Sequence, residues 1–264
     1  MPYKSSSFHI KLIVCNLSSG SKGNSTYVET KKHKILIDIG TSCLYVEKKL
    51  KEIGVEPKDI DLVLITHAHI DHVSGLRVFC KKHNPEVYIS DKIIKESGID
   101  RHLLNRLDML ERIEDIKITE LELSHDVEDI KGYIIEEGSS SMVYITDTGY
   151  INEKYFKKLK NKNIYVFESN HDVEMLMNNE KYPHTTKIRI LSDKGHLSNK
   201  DSSYYLSKII GEDTKIVLLS HLSEQNNKEE LAIKTLNETL ERKKVKKPKI
   251  LVAKQNIPSK IFKV

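Results

Sequence analysis

Four side chains able to bind a metal ion fall within six positions: His67, His69, Asp71 and His72 in Thr66-His67-Ala68-His69-Ile70-Asp71-His72. Imidazole and carboxylate together suit zinc, manganese or iron. One catalytic zinc usually takes only three protein ligands, so four in one stretch point to two ions. A chance cluster of loop histidines is the bland alternative. It leaves unexplained why His125, Asp147, His196 and His221 each sit within or just after a strand-like run or a glycine turn. His67 and His69 are two apart and face the same side of an extended segment. His125, after Leu121-Glu122-Leu123-Ser124, can complete a three-histidine set. Asp71 and His72 lie on the next bend and can face a second ion, and Asp147, at the end of another strand, can bridge. Two divalent ions about 3.5–4 Å apart, with a hydroxide between them as nucleophile, clamp an in-line displacement and suit phosphodiesters.

Such a constellation needs rigid elements behind it. Leu62-Val63-Leu64-Ile65 is short, apolar and β-branched, which predicts a buried strand feeding the histidines. Further strands are expected over Phe8–Leu17, Thr26–Glu29, Lys34–Ile39, Glu86–Ile89, Ile116–Leu123, Ile130–Glu136, Met142–Ile145, Ile164–Phe167, Ile216–Leu219 and Ile250–Ala253. A Gly/Ser turn, Ser18 to Ser25, joins the first two. Helices are expected from Ser42 as cap to Ile53, from Ser74 as cap to Lys82, and over Lys92–Leu110 with an interruption at Gly98. Others follow over Glu153–Lys160, Asp172–Asn178, Thr185–Leu191, Ser198–Ile210 and Lys228–Arg242. Hairpin strands come first and then alternate with helices, twice over, which predicts two packed sheets with helices outside, an α/β sandwich in one domain spanning 1–264.

The chain has 264 residues, 38% hydrophobic and 31% charged, within the range of a soluble globular protein. No apolar run approaches the roughly 20 residues of a membrane span. Met1 to Ser7 lacks an apolar core, so no secretory signal is expected. Cys15, Cys43 and Cys80 form no CxxC pair and fit a reducing cytoplasm. Formal net charge is +5, and residues 241–264 carry nine Lys/Arg against Glu241 alone. A basic end can steer a polyanion, although a solvated lysine-rich helix end explains it as simply.

The run from His67 to His72 resembles the HxHxDH signature of the metallo-β-lactamase-fold hydrolases, and His125, Asp147 and His221 fall where that superfamily places its remaining ligands. The resemblance spans nearly the whole chain. It implies a four-layer αββα sandwich with metals between the sheet edges. One ion would lie on His67, His69, His125 and Asp147, the other on Asp71, His72, Asp147 and His221. In the nuclease branch, a histidine before the last ligand donates a proton to the leaving oxygen and is oriented by an upstream acid. His196 and Glu168 occupy those places. A carboxylate partner fixes a histidine's tautomer and orientation, which suits that role. The competing assignment puts His196 on the second metal and frees His221. Ser18 to Ser25, Glu168 to Leu176, Arg189 to Asn199 and Leu219 to Asn227 are similar to phrases of the YycJ/WalJ group, cytoplasmic bacterial proteins associated with 5′-to-3′ exonuclease action on double-stranded DNA.

Two spacings exclude larger relatives. Only 48 residues separate Asp147 from His196, too few for the β-CASP domain of RNase J-type nucleases. Only 21 separate His125 from Asp147, too few for the tRNA-gripping arm of RNase Z. Ser19, Asn24, Asn170 and Ser223 are candidate substrate contacts; hairpin chemistry and capping explain several of them equally well. Asp38 is read as structural or as support behind a ligand. His171 is read as a helix-start residue, and His9, His33, His83, His102 and His184 as surface or structural. The expectation is a cytoplasmic phosphodiesterase with two divalent ions (zinc or manganese, with iron possible), Asp71, His196 and Glu168 in its chemistry, and DNA as substrate. The rivals are a hydrolase of small cyclic phosphates or nucleotides and a binding protein that has lost activity.

Overall fold

The computed structural model describes residues 12–110, 113 and 115–264. Its elements in chain order begin with β1 (Ile13–Ser18), β2 (Ser25–Glu29), β3 (Lys34–Ile37), α1 (Cys43–Glu52), β4 (Leu62–Leu64) and α2 (Ile70–Val73). Next come α3 (Leu76–His83), β5 (Glu86–Tyr88), α4 (Asp91–Ser97), β6 (Asn105–Arg106), β7 (Lys117–Glu122), β8 (Lys131–Glu137), β9 (Ser140–Ile145) and α5 (Phe156–Leu159). The remainder are β10 (Ile164–Glu168), α6 (Val173–Asn178), α7 (His184–Leu191), α8 (Asn199–Ile209), β11 (Ile216–Ser220), α9 (Glu229–Arg242), β12 (Lys249–Val252) and β13 (Phe262–Lys263).

One sheet has the order β13-β1-β2-β3-β4-β5-β6 and the other β12-β11-β10-β9-β8-β7. Both are mixed: β1 to β3 and β7 to β9 pair antiparallel, whereas β3 to β6 and β9 to β12 pair parallel. The period-2 alternation of side chains sorts each strand between two cores. In β3, Ile35 and Ile37 join Leu62 and Leu64 against Tyr133, Met142, Ile164 and Val166 of the opposite sheet. Leu36, between them, faces outward with Val63 onto Val46 and Leu50 of α1 and Leu76 and Phe79 of α3. In β10, Tyr165 and Phe167 turn the other way, onto Leu206 of α8 and Leu236 of α9. Helix, sheet, sheet and helix thus form the αββα sandwich, because strands apolar on both faces need a cover on each side.

Several expected boundaries move. Residues 8–11 of the expected strand Phe8–Leu17 lie outside the described residues. The stretch Lys92–Leu110 is not one helix: α4 stops at Gly98, whose φ of +67° forms a left-handed cap, and a 3-10 turn and β6 follow. Ser74 does not cap α3; its hydroxyl donates to Gly40 O at 2.8 Å, and Gly75 occupies the cap position. Ser42 and Ser198 do cap α1 and α8. The 21 residues after His125 are taken up by the β8–β9 hairpin, and the 48 after Asp147 by α5, β10, α6 and α7.

Candidate active site

Most of the expected constellation leaves the sheets at a strand's C-terminal end or in the loop beyond it; Asp71 and His72 stand on the short helix α2, and His196 lies between α7 and α8. His67 follows β4, Asp147 follows β9, Glu168 ends β10 and His221 follows β11. Asp38, Asp147 and His221 have φ of 61°, 56° and 56°. Left-handed backbone is costly for a residue with a Cβ, though Asp and His tolerate it better than most. Here it turns each side chain sharply out of its strand into the cleft between the sheets. Gly40 allows the loop after β3 to press onto α2: a Cβ there would lie 1.6 Å from Asp71 O. Asn24 N and Ile39 N donate to Asp71 O and His72 O at 2.8 and 2.9 Å, so the segment bearing Asp71 and His72 is pinned by its backbone.

Two groups of donors result. His67, His69 and His125 form a triangle, with ring centroids 4.8, 5.0 and 5.5 Å apart. His125 Nδ1 donates to Gly195 O at 3.0 Å, which leaves Nε2, 3.2 Å from Asp126 Oδ1, as the atom that could meet a metal. The second group contains Asp71, His72 and His221. His72 Nδ1 lies 2.7 Å from Asp38 Oδ2, and Asp38 is itself held by Thr66 N and Thr66 Oγ1, both at 2.8 Å. Asp38 therefore orients a candidate ligand from behind. Asp147 stands between the groups: its Oδ2 is 3.1 Å from His72 Nε2 and its Oδ1 is 3.3 Å from His221 Nε2.

A divalent cation fits this centre. His67 Nε2, Asp147 Oδ2 and His221 Nε2 are buried and have no hydrogen-bond partner. His67 Nε2 is a full orphan, which costs about 1–3 kcal/mol unless something satisfies it; Asp147 Oδ2 and His221 Nε2 have only ion-pair contacts, the first to His72 and the second to Asp147 and Asp71. The electrostatics agree. Burial opposes charge on His72, but Asp38 and Asp147 outweigh it and lift its pKa to about 10. Burial likewise opposes charge on His221, yet Asp147, Asp71 and Glu168 hold its pKa well above the ordinary value. The carboxylates demand positive charge where a metal would sit. His67 and His125 lie on the less acidic side, where burial lowers their pKa.

Glu168 is fully buried and accepts four hydrogen bonds. Oε2 takes Thr148 N at 2.9 Å and Leu197 N at 3.1 Å; Oε1 takes His196 Nδ1 at 2.8 Å and His221 Nδ1 at 3.1 Å. Burial would raise its pKa, but His196 and His221 outweigh that and bring it to about 2. One carboxylate thus orients both histidines. His221 turns Nε2 to Asp147 and, at 3.8 Å, to Asp71. His196 lines a cavity of about 270 Å³ beside the cleft.

The weaker expectations fare differently. Ser19 Oγ accepts from His221 N at 2.8 Å, and Asn24 bridges Gly20 N, Asp71 Oδ2 and His72 Nε2. Both are buried supports behind the centre. Asn170 Nδ2 donates to His221 O at 2.9 Å, and Asn170 and Ser223 both line the cavity. His171 precedes Asp172, the cap of α6; it is buried with both ring nitrogens unpartnered. Among the basic C-terminal residues, Lys246, Lys247 and Lys254 pair with Glu212, Glu241 and Glu229. Sequence reasoning missed Asp126 and Arg189. Asp126 Oδ1 lies 3.2 Å from His125 Nε2 and 3.5 Å from His69 Nε2, and Oδ2 accepts from Arg189 Nη1 at 2.5 Å. Adjacency to His125 was the available signal for Asp126; Arg189 opens one of the phrases similar to the YycJ/WalJ group, but nothing local tied it to a partner 63 residues away.

Comparison with known proteins agrees with this architecture. Residues 19–221 match the metallo-beta-lactamase superfamily. The chain is 36% identical to Exodeoxyribonuclease YycJ of Bacillus anthracis over 234 residues, covering 86% of this chain and 88% of the relative. It is 37% identical to Exodeoxyribonuclease WalJ of Streptococcus pneumoniae, covering 83% and 85%. The crystal structure of the metallo-beta-lactamase fold protein YhfI from Bacillus subtilis superposes with a TM-score of 0.68 at 16% identity, covering 96% of this chain and 99% of that one. The chain therefore belongs to the metallo-beta-lactamase superfamily, with the YycJ and WalJ proteins among its relatives, and is a metal-dependent hydrolase.

Proposed function

We propose that the protein is a phosphodiesterase that degrades double-stranded DNA from the 5′ end, in a bacterial cytoplasm. The observation that carries the reading is Glu168, which holds the Nδ1 atoms of His196 and His221 on one oxygen. With Nδ1–H directed at the carboxylate, the working atom of each imidazole is Nε2. His221 spends its Nε2 on the acidic group of Asp71 and Asp147; His196, at the cavity's edge, is the proton donor to the leaving oxygen. The names of the YycJ and WalJ relatives, both exodeoxyribonucleases, support DNA as substrate, and three buried free cysteines suit a reducing compartment.

In this reading His67, His69, His125 and Asp147 hold one divalent ion, and Asp71, His72, Asp147 and His221 hold the other, zinc or manganese by donor type. When bound, the pair supplies an activated water and neutralises charge on the phosphate. The protein's own residues do the rest. Asp38 and Gly195 O fix the rings of His72 and His125, Asn24 and Gly40 pin Asp71, and the two sheets exclude water from behind the cleft. Asn170 and Ser223 face the substrate side.

A paired assay tests this. The protein, loaded with Mn²⁺ or Zn²⁺, is given labelled duplex DNA and bis-p-nitrophenyl phosphate. DNA shortening that disappears in Asp71→Ala supports the reading. Hydrolysis of the small ester with DNA left intact would replace it with a small-molecule phosphodiesterase, and no turnover of either by the loaded protein would leave a binding protein.

A further inference from the structure

The geometry points to a subsite for a terminal 5′-phosphate in the cavity beyond His196, with Arg189 as its specificity-determining residue. This rests on the phosphodiesterase reading and extends it to how a DNA end is chosen. The cavity holds about 270 Å³, and its lining includes Ser21, Tyr182, Thr186, Arg189 and Ser223 beside His196 and His221, with Ile190 and Leu222 as its apolar part. That is slightly below the usual ~300–1,000 Å³ of small-ligand clefts, room for a phosphorylated sugar and not for a length of duplex.

The position of the proton donor assigns the occupant. In a cut that releases the 5′-terminal nucleotide, water oxygen bonds to the second nucleotide's phosphorus and the P–O3′ bond breaks. His196 gives its proton to O3′ of the terminal nucleotide, and a proton from the attacking water restores it. The leaving group is then the terminal nucleotide, and it must lie on the His196 side, where the cavity is. Its own 5′-phosphate points away from the breaking bond, deeper into the cavity. The remaining strand gains a new 5′-phosphate, so each cut regenerates the group the cavity would recognise.

The lining suits that group. Hydroxyls of Ser21, Tyr182, Thr186 and Ser223 and the guanidinium of Arg189 are all donors. Arg189 forms an ion pair with Asp126, beside His69 and His125. The pair is two-thirds exposed on the arginine side and so weakly held. A phosphate dianion offers the guanidinium a second, bidentate partner of higher charge.

The test compares duplexes that differ only in a 5′-phosphate or a 5′-hydroxyl, using the metal-loaded wild-type protein, Arg189→Ala and Arg189→Lys. Wild type is expected to favour the phosphorylated end at least about tenfold in kcat/KM, a factor within reach of one charge-assisted pair. Arg189→Ala should lose the preference with its Tm unchanged, and Arg189→Lys should regain part of it. Equal cutting of both ends by wild type, or a preference that survives Arg189→Ala, overturns the subsite and leaves the nuclease reading standing. If no DNA is cut, that reading fails first. Fluorescence anisotropy on the same duplexes then decides the subsite: tighter binding of the phosphorylated end that depends on Arg189 supports it, and equal binding overturns it.

Discussion

Replacing His196 by alanine separates a proton donor from a metal ligand. Its Nδ1 donates to Glu168 Oε1 at 2.8 Å. Removing it does not orphan Glu168, which keeps His221 Nδ1 at 3.1 Å, Thr148 N at 2.9 Å and Leu197 N at 3.1 Å. The stability loss is therefore that of one hydrogen bond to a charged group, about 1.5–3 kcal/mol. For a chain of this size that lowers Tm by roughly 3–12 °C. Loss of a positioned proton donor costs about 10²–10⁴ in kcat when the leaving group is a sugar alkoxide. p-Nitrophenolate departs without protonation, so bis-p-nitrophenyl phosphate should be hydrolysed within about threefold of the wild-type rate. Both rates are measured at saturating Mn²⁺, beside metal content by elemental analysis, which should not change. Equal losses on both substrates together with a missing ion would refute the reasoning and place His196 on the second metal.

Other perturbations have equally definite outcomes. Asp147→Asn, at the junction of the two donor groups, should weaken at least one ion more than about 100-fold, read by elemental analysis after dialysis. Gly40→Ala forces a Cβ to within 1.6 Å of Asp71 O, and should cost about 3 kcal/mol or more in chemical denaturation. Leu206→Ala empties a fully buried site between α8 and the second sheet, and should cost about 2–5 kcal/mol with activity retained at low temperature. Lys82 and His83 hold the Glu47 carboxylate down to about 2. A depressed carboxylate stabilises above its unfolded pKa, so the Tm gap between wild type and Glu47→Gln should be full above about pH 4.5 and close as pH falls toward 2.

How much of this was legible follows from how far apart in sequence the cooperating residues lie. The His67 to His72 run and the apolar strand before it are local, and the structure keeps both, with the four side chains clustered just beyond β4. Two packed sheets with helices outside were legible because hairpin strands come first and then alternate with helices, and the αββα order came by resemblance; the division of Ile35, Leu36 and Ile37 between two cores shows only in the fold. The pairing of Glu168 with His196 was reached by resemblance, and its geometry adds what resemblance did not: the same carboxylate oxygen also holds His221. What stayed hidden depends on contacts made only by folding. Asp38 was read as structural or as support behind a ligand, but its partners Thr66 and His72, 28 and 34 residues away, were not visible; Ser19 meets His221 across 202, and Arg189 meets Asp126 across 63. Ser74 looked like a cap because serine before an apolar run usually is one; the close approach of Gly40 claimed its hydroxyl instead.

Direction of attack on an end-labelled duplex tests the central claim most directly. The metal-loaded protein is mixed with blunt duplex DNA labelled at either the 5′ or the 3′ end, and products are resolved at the earliest times. The account predicts that 5′ label leaves at once as mononucleotide while 3′-labelled strands shorten in a ladder. Release of the 3′ label first, or internal cuts with both end labels still on long fragments, would contradict it.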